Sequence, residues 1–520
     1  MKFSLFILFI IPYAAFTQSA NWLHSDPETD SILGVSTQRA YKYMGSKETK
    51  TITVAIIDNG VELTHEDLQG VFWVNPNEIP NNGIDDDNNG YIDDINGWNF
   101  LGNSKGENLK NETTGLTRLY AFLKNKYEGA SAQDLSPEDI SEFNEYINVK
   151  KEYEAVLNDK KNKIANYEKI LEYFLASDAT IQGKLKQPIY TEKDVRGIKS
   201  KRDEINAAKE FMIKIYDAGL NKEGIEKQIN TLKSNIETRL NPDLKNRELL
   251  VGDNPDDMMD SIYGNNMVNA KGPYHGTGVA SIVGALNNDF GIDGIGKNVK
   301  LMILRIVPNG DERDKDIALA YRYAIRNGAD IITCSFAKKY SMHHDFVQDA
   351  IEEAEKAGVL IVNAAGNNGT CNDDISYYPT GIKKNGEMAN NFITVGASRA
   401  RDNENLAAIF SNYGERTVDV FAPGFNIETC ALSNKYGVSS GTSISAPVVA
   451  GIAAVVKSYY PFLNAKQLKE IILASSYKPK TKSVIKPGQS GEVIIAFEKL
   501  SISGGIANLY RALLLVEKEY

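Results

Sequence analysis

The sequence contains few of the residues that build disulfide frameworks and metal clusters. Its 520 residues include five histidines and three cysteines, Cys334, Cys371 and Cys430. Three widely spaced cysteines match neither a disulfide framework nor a metal-binding pattern. One disulfide bridge stays open as an alternative, but we expect buried or free thiols.

Long hydrophobic runs are also missing after residue 20, so we expect no membrane span in the mature chain. Residues 1–20, MKFSLFILFIIPYAAFTQSA, combine Lys2, an apolar run and a small or polar end. This pattern is typical of a secretory signal peptide. A membrane anchor is the alternative, but the run is short and no basic flank follows it. We expect cleavage near residues 17–20 and a secreted or periplasmic protein.

The chain also has no excess of positive charge. The formal net charge is −10, which argues against a nucleic acid as the main partner. Hydrophobic residues make up 42% and charged residues 24%, which is ordinary for a soluble globular protein. Composition indicates neither a substrate nor an oligomeric state.

Strand-like and helix-like segments alternate in most of the chain. A β-branched run over Thr51–Asp58 ends in an aspartate, and further apolar runs cover Val299–Val307, Asp330–Phe336, Val359–Ala365 and Phe392–Ala397. Helical patterns lie between the later runs. This alternation predicts an α/β fold, a parallel sheet flanked by helices, with right-handed crossovers.

The composition changes between residues 103 and 241. Glycine becomes rare there, and apolar residues from Phe143 to Phe174 recur at three- and four-residue spacing. This spacing indicates an amphipathic helix of coiled-coil type, and weaker helical patterns follow over Glu192–Ala218 and Lys222–Leu240. We therefore predict an inserted helical hairpin or bundle. It could act as a lid or a docking arm, and a packed decoration is the equally open alternative.

An acidic loop, NNGIDDDNNGYIDD, covers residues 81–94. Asp85, Asp87 and Asn89 alternate before a glycine and Asp93 follows, which resembles the first part of a calcium-binding loop. The position expected to hold a bidentate glutamate is Asn96. We predict a structural Ca²⁺ ion held by these four residues, and a solvated Asx-rich turn is the alternative.

Four short motifs carry residues suited to nucleophilic catalysis. They are AIIDNG with Asp58, HGTGVA with His275, AAGNNG with Asn367, and SGTSISAP with Ser443. A buried aspartate can orient an imidazole that takes the serine proton and later protonates the leaving group. The asparagine amide could hydrogen-bond a tetrahedral oxyanion. SGTSISAP alone would be an ordinary turn, so the interpretation depends on all four motifs together.

The chain order Asp58, His275, Ser443 is the order found in subtilisin. With this order and these four motifs, the chain resembles the subtilisin-like serine proteases, the subtilases. The resemblance implies that Asp58 orients, His275 acts as general base and Ser443 is the nucleophile. It places Asn367 and the Ser443 N–H in the oxyanion hole. It also implies that Ser335, Phe336 and Ala337 bind the substrate backbone and wall the pocket for the residue before the scissile bond.

The resemblance covers two stretches, which we predict to form one catalytic domain from residues 21–102 and 242–520. Residues 103–241 would be the insertion, which explains the 217 residues between Asp58 and His275. Gly278 and Ala337 depart from the family, which usually has histidine and glycine there. Residues 21–50 are too few for the usual folding pro-domain, so we expect folding without one.

The sequence therefore predicts a secreted serine endopeptidase that acts on protein or peptide substrates through an acyl-enzyme. Two alternatives stay open at this point. One is a protease-like scaffold whose helical arm binds a partner while proteolysis is idle. The other is an esterase that uses the same triad.

Overall fold

The computed structural model describes residues 22–269, 274–489, 491 and 493–520. The predicted signal peptide lies outside the described residues. Two compact units are present: a helical unit contains Leu116–Leu244, and a sheet unit contains the described residues before and after it. Residues 103–115, which were predicted to belong to the insertion, pack in the sheet unit. Leu109, for example, shares a hydrophobic cluster with Leu101 and Val251.

A seven-stranded parallel sheet forms the centre of the sheet unit, with strand order β2-β3-β1-β4-β5-β6-β7. Its strands are β1 (Ile52–Asp58), β2 (Gly97–Asn99), β3 (Val299–Arg305), β4 (Ile331–Cys334), β5 (Leu360–Ala364), β6 (Phe392–Ser398) and β7 (Val420–Pro423). Two antiparallel hairpins follow, β8 (Ile427–Ala431) with β9 (Lys435–Ser439), and β10 (Ser483–Ile485) with β11 (Ile494–Ala496). The predicted α/β fold is confirmed.

Some helices cover the two faces of the sheet, and others belong to the helical unit. In chain order they are α1 (Thr37–Met44), α2 (Gly115–Tyr127), α3 (Asp139–Leu185), α4 (Glu192–Gly197), α5 (Asp203–Asp217), α6 (Lys222–Glu237), α7 (Asn246–Leu250), α8 (His275–Gly284), α9 (Asp314–Arg326), α10 (His344–Ala357), α11 (Thr442–Tyr459), α12 (Ala465–Ala474) and α13 (Leu509–Glu519). Short 3₁₀ turns lie at Trp22–His24, Glu66–Leu68, Ala132–Asp134 and Phe497–Leu500.

Strand β1 shows why most positions of the central strands are apolar. Val54 and Ile56 face a core that includes α8 and α11, whereas Ala55 and Ile57 face a second core with α9 and α10. Because alternate residues point to opposite faces, a strand covered on both sides needs apolar residues at every position. Helix α11 has the length and apolar composition of a membrane span, but 89% of it is buried, as in a core helix.

The helical unit has a hydrophobic core of its own. The 47-residue helix α3 packs against α5 and α6, where Ile181, Met212 and Ile225 are almost fully buried. Near its start, Tyr153 of α3 stacks on Tyr120 of α2 with ring centroids 4.2 Å apart. The spacing seen in the sequence therefore lies on one long helix, and the helical insertion is confirmed.

A buried ion cluster anchors the chain where it returns from the helical unit to the sheet unit. The Arg247 guanidinium donates four hydrogen bonds of 2.8 Å, two to Asp253 and two to Asp316 of α9. Lys315 donates to Asp253 at 3.1 Å, and all four side chains are nearly inaccessible to solvent. Such bidentate pairs are the strong form of ion pairing, because geometry and charge act together.

We expect Arg247→Ala to lower the free energy of unfolding by about 3–5 kcal/mol, because it removes four hydrogen bonds from two buried carboxylates and takes the arginine partner away from Asp316, while Asp253 keeps Lys315. Equilibrium urea unfolding of the purified protein measures this change. Arg511→Ala is the matched control, since Arg511 and Glu28 form an exposed pair whose side chains are 41% and 48% accessible. That control should cost less than about 1 kcal/mol. Equal losses in the two variants would contradict the proposed role of the cluster.

Candidate active site

The carboxylate of Asp58 and the imidazole of His275 form the first contact of the site. Asp58 ends β1 and is 1% exposed, and His275 begins α8. His275 Nδ1 lies 2.9 Å from both carboxylate oxygens of Asp58. A histidine bonded through Nδ1 presents Nε2 on its other side, and the His275 side chain keeps 39% of its surface accessible.

The charge of Asp58 changes the acidity of His275. The neighbouring carboxylate raises the pKa of His275 above its ordinary value, and this outweighs the burial that lowers it. The hydrogen bond that His275 donates to Asp58 and the charge of Glu312 add to the increase. The imidazolium form, which would appear during proton transfer, is therefore stabilised.

Two glycines bring α8 close to its neighbours. A Cβ on Gly276 would lie 2.3 Å from the carbonyl oxygen of Gly60, so a side chain there would push His275 away from Asp58. A Cβ on Gly278 would lie 3.2 Å from Thr429 Oγ1 of β8. The space that a histidine would need at position 278 is therefore occupied by β8, which gives a physical reason for this departure from the family motif.

Ser443 lies in the first turn of α11, beside a small space over Gly441. A Cβ on Gly441 would lie 2.8 Å from Ser443 Oγ, 3.5 Å from Asn367 Nδ2 and 3.6 Å from the Ser443 backbone nitrogen. The hydroxyl, the amide and the backbone N–H thus lie within 3.6 Å of one point. A helix N-terminus also favours negative charge at that point.

The Asn367 amide has a fixed orientation. Its Oδ1 accepts hydrogen bonds from the Thr442 backbone N–H at 2.8 Å and from the Thr442 hydroxyl at 3.1 Å. Because the oxygen faces these donors, Nδ2 is the atom that lies towards Gly441. The four predicted residues therefore form two pairs, Asp58 with His275 and Asn367 with Ser443.

Two supporting residues were missed by the sequence analysis. The Thr442 hydroxyl accepts a hydrogen bond from Gly366 N–H at 3.1 Å. Asn412 Oδ1 accepts from the N–H groups of Asn368 and Thr370, and its Nδ2 donates to Ala365. Together they hold the loop that carries Asn367. Thr442 lies inside a recognised motif, but nothing in the sequence around Asn412 distinguishes it from other loop asparagines.

The predicted substrate-binding residues follow β4. Ser335 donates a hydrogen bond of 2.8 Å to the backbone carbonyl of Ser443, so this segment is tied directly to the serine. Phe336 is 8% exposed and packs in the core with α9 and α10, whereas Ala337 is half-buried. Of the three side chains, Ala337 is the most accessible to a ligand.

The sequence model of the subtilase family matches residues 49–491, most of the chain. The chain belongs to the subtilase family. Subtilisin DY of Bacillus licheniformis is 32% identical over 203 residues, which are 39% of this chain and 69% of that protein. A thermostable alkaline protease of Halalkalibacterium halodurans is 33% identical over 199 residues, 38% of this chain and 51% of that protein.

Comparison with solved structures gives partial matches of low similarity. The epidermin leader peptide processing serine protease of Staphylococcus aureus matches with a TM-score of 0.40 and 21% identity, over 50% of this chain and 67% of that one. The chain spans about half the length of the Halalkalibacterium halodurans relative that it matches.

The acidic loop of this subtilase gathers carboxylates that differ from the predicted calcium ligands. Oxygens of Glu78, Asp87 and Asp94 lie within 4.8 Å of one another, and only Asp87 belongs to the predicted set. Asp93 instead accepts from Asn82 and Gly83 N–H groups at 3.1 and 3.0 Å. The two other predicted ligands also bind their own loop: Asp85 accepts from Asn89 and Gly90 N–H groups, and Asn89 Oδ1 accepts from Tyr91 N–H.

Asp67 is a further carboxylate that could bind a cation, and the sequence analysis did not identify it. It is fully buried, and its Oδ2 accepts from Ile292 N–H at 2.7 Å. Its Oδ1 has no hydrogen-bond partner among the described residues. A Cβ on Gly291 would lie 2.3 Å from Oδ2, so the loop around Gly291 closes tightly over the carboxylate. Burial raises the pKa of Asp67, which a nearby cation would oppose.

We expect activity to fall with decreasing pH and to be half-maximal above about pH 6.5, which is the ordinary pKa of an imidazole. A general base must be neutral, and the raised pKa keeps His275 protonated up to a higher pH. The measurement is kcat/KM against pH with a peptide substrate.

Asp58→Asn is the diagnostic variant for this profile. It should lower kcat by about 10⁴ and move the midpoint to lower pH, because the carboxylate that favours imidazolium is lost. A midpoint that stays in place after this substitution would contradict the assignment of the titration to the pair.

Proposed function

We propose that this subtilase is a serine endopeptidase and that Asp58, His275 and Ser443 are its catalytic triad. One observation carries the proposal. The Ser443 hydroxyl, the Ser443 N–H and Asn367 Nδ2 lie within 3.6 Å of one point beside Gly441, while His275 is held by both oxygens of a buried aspartate. These are a nucleophile, two oxyanion donors and an oriented base.

The chemistry follows from these groups. His275 Nε2 takes the proton as Ser443 Oγ bonds to the substrate carbonyl carbon, and the carbonyl electrons move to the oxygen. Asn367 and the Ser443 N–H donate to that oxyanion. When the tetrahedral intermediate collapses, the C–N bond breaks and His275 protonates the leaving amine. Water then attacks the acyl-enzyme with His275 again as base, which releases the acid and restores Ser443.

We assign different roles to the two units. Residues 21–102 and 242–520, with residues 103–115 that pack beside them, would form the catalytic domain, and all four site residues lie in the sheet unit. The remainder of residues 103–241 would be an insertion that acts as a lid, a docking arm or a decoration. We also propose export by residues 1–20 to the periplasm or the medium, on the sequence pattern alone.

We also propose that the chain binds structural calcium. Oxygens of Glu78, Asp87 and Asp94 lie within 4.8 Å of one another. A Ca²⁺ ion binds its oxygen ligands at about 2.3–2.6 Å, so it would fit between these three oxygens. Burial raises the pKa of Asp94 to about 6, so a bound cation would stabilise its ionised form. Asp67, whose buried Oδ1 has no hydrogen-bond partner among the described residues, is a second candidate ligand.

Ser443→Ala should lower kcat by about 10⁶ and abolish labelling by a fluorophosphonate, because the nucleophile is gone. Ser445→Ala is the matched control, since the Ser445 hydroxyl donates to the Ala422 carbonyl in the core and should leave labelling intact. Peptidase activity that survives in Ser443→Ala would refute the triad. If the fluorophosphonate does not label the wild-type protein, the result favours the scaffold alternative. Hydrolysis of esters but not of peptides would favour the esterase.

Calcium at 100 times its Kd should stabilise the fold by about 2.7 kcal/mol. Thermal unfolding with calcium and with a chelator measures the difference. Asp87→Asn and Asp67→Asn should each reduce the calcium-dependent shift if that carboxylate binds the ion. Asp86→Asn, in the same loop but outside the cluster, should keep it. An unchanged Tm on chelation would exclude a structural calcium ion.

A further inference from the structure

A cavity of about 450 Å³ lies beside β2, the edge strand of the sheet. Its walls come from residues between 90 and 104, at the end of the acidic loop and beyond it, and from residues between 251 and 266, which follow α7. Among the described residues that line it, none belongs to the proposed catalytic site. Its volume falls in the range of ligand-binding clefts, roughly 300–1,000 Å³. The cavity is therefore a separate candidate binding site.

The buried part of the wall is aromatic and held in place. Trp98 of β2 is 5% exposed, and its Nε1 donates a hydrogen bond of 2.8 Å to the Tyr263 carbonyl. The Tyr263 ring packs against Phe100 with centroids 6.0 Å apart, and its hydroxyl donates to Asp316. A Cβ on Gly264 would lie 2.5 Å from Trp98 Nε1, so this segment closes directly against the indole. A wall that is already fixed loses little conformational entropy when a ligand binds.

Exposed apolar side chains form the rim of the cavity. Ile92 and Ile262 line it and are 49% and 55% exposed. Met259 and Met267, each next to a lining residue in the sequence, are exposed as well. A Cβ on Gly90 would lie 2.6 Å from Ile262 Cδ1, so the Ile262 side chain rests on the acidic loop. Apolar side chains that are exposed together indicate a surface that packs against another molecule.

The cavity also carries an excess of negative charge. Lys315 of the buried ion cluster lies 3.4 Å from a third carboxylate, that of Asp260, so two cations face three carboxylates. Asp260 lines the cavity and its side chain is 36% accessible. Residues 81–104 and 251–266 contain nine aspartates and no lysine or arginine. A cationic group on a ligand is therefore favoured here, and an anionic one is disfavoured.

The cavity lies at the same edge of the sheet as the proposed catalytic residues. Asp58, which ends β1, and Asn99, which ends β2, both pair with Arg305 of β3. Neighbouring strands lie about 4.8 Å apart, so β2 is roughly 10 Å from β1. Trp98 precedes Asn99, so the cavity begins at about this distance from Asp58. An extended peptide covers about 3.3 Å per residue, so a substrate segment several residues from the cut bond can reach it.

We propose that this cavity binds a segment of the protein substrate, away from the peptide bond that is cut, and selects a large apolar residue next to lysine or arginine. The apolar side chain would pack on Trp98, Ile92 and Ile262. The cationic group would pair with Asp260. This contact would raise the affinity for long substrates without changing the chemistry at Ser443. The proposal rests on the proposed serine endopeptidase function and adds a recognition site for its substrates.

The first test measures binding to Ser443→Ala, from which the proposed nucleophile is absent. Fluorescence anisotropy compares three labelled peptides, Gly-Lys-Phe-Lys-Gly, Gly-Lys-Ala-Lys-Gly and Gly-Glu-Phe-Glu-Gly. The first should bind at least about tenfold more tightly than either of the others, because it alone supplies both the apolar side chain and the positive charge. Adding Ile262→Lys should weaken its binding at least about tenfold, because the rim loses an apolar side chain and gains a like charge.

Ile84→Lys is the matched control for this variant. Ile84 lies in the acidic loop, is 57% exposed and is not among the residues that line the cavity. The substitution adds the same charge on an exposed site, and it should change the affinity less than about twofold. Ile92→Lys is a second variant at the rim and should behave like Ile262→Lys. An unchanged Tm shows that a variant is folded, and Ile92→Lys decides the point if Ile262→Lys is not.

The second test uses the active enzyme and separates the cavity from the catalytic centre. One substrate is a fluorogenic tetrapeptide without lysine or arginine, and the other is reduced and alkylated lysozyme, a long basic chain. Ile262→Lys should raise KM for the lysozyme chain at least about fivefold, and it should leave kcat/KM for the tetrapeptide within about twofold of the wild type. Ile84→Lys should leave both substrates unaffected.

The outcomes separate this inference from the proposed function. Equal affinities for the three peptides, or an unchanged affinity in both rim variants, overturn the inference and leave the protease assignment standing. An equal loss with the tetrapeptide and the lysozyme chain would mean that the rim acts through the catalytic centre, which also overturns the inference. Absence of both fluorophosphonate labelling and peptide hydrolysis in the wild type would instead reject the proposed function.

Discussion

The pairing of Asp58 with His275 is the contact on which the site depends. An almost fully buried carboxylate is unfavourable unless a partner compensates it, and here the partner is an imidazole 2.9 Å from both oxygens. The parallel sheet brings the pieces together, because its strands all end at one edge. Asp58 ends β1, Asn367 follows β5 and Ser335 follows β4, so three parts of the site need no long loops to meet.

Much of this arrangement could be predicted from sequence, for identifiable reasons. The strands and helices of the sheet unit are strongly apolar or amphipathic, and their bounds agree within a few residues, as for the predicted run Thr51–Asp58 and the observed strand Ile52–Asp58. The site residues lie in short motifs in which glycine and small residues are required by close contacts, such as that of Gly276 with Gly60. Local patterns of this kind are readable because the chemistry and the packing restrict the same few positions.

Other features depend on contacts between distant residues and left no local pattern. Asn412 holds the Asn367 loop from 45 residues away, and Asp67 is buried by a loop that comes over 200 residues later. The acidic loop shows the same limit. Its alternating carboxylates suggested one ligand set, but several of them bind backbone N–H groups of the loop, while Glu78, from before it, joins the cluster. Spacing alone does not show which way a carboxylate turns.

The long separation of the site residues along the chain has a consequence for synthesis. Asp58, His275 and Ser443 leave the ribosome at widely different times, and the complete helical unit is made between the first two. Such non-local contacts form late in folding, because distant parts of the chain must first come together. In the proposed mechanism, a chain that has not reached Ser443 lacks its nucleophile, and a complete but unfolded chain lacks its oriented base. On that assignment, peptidase activity can begin only after residue 443 has been made and the sheet unit has folded.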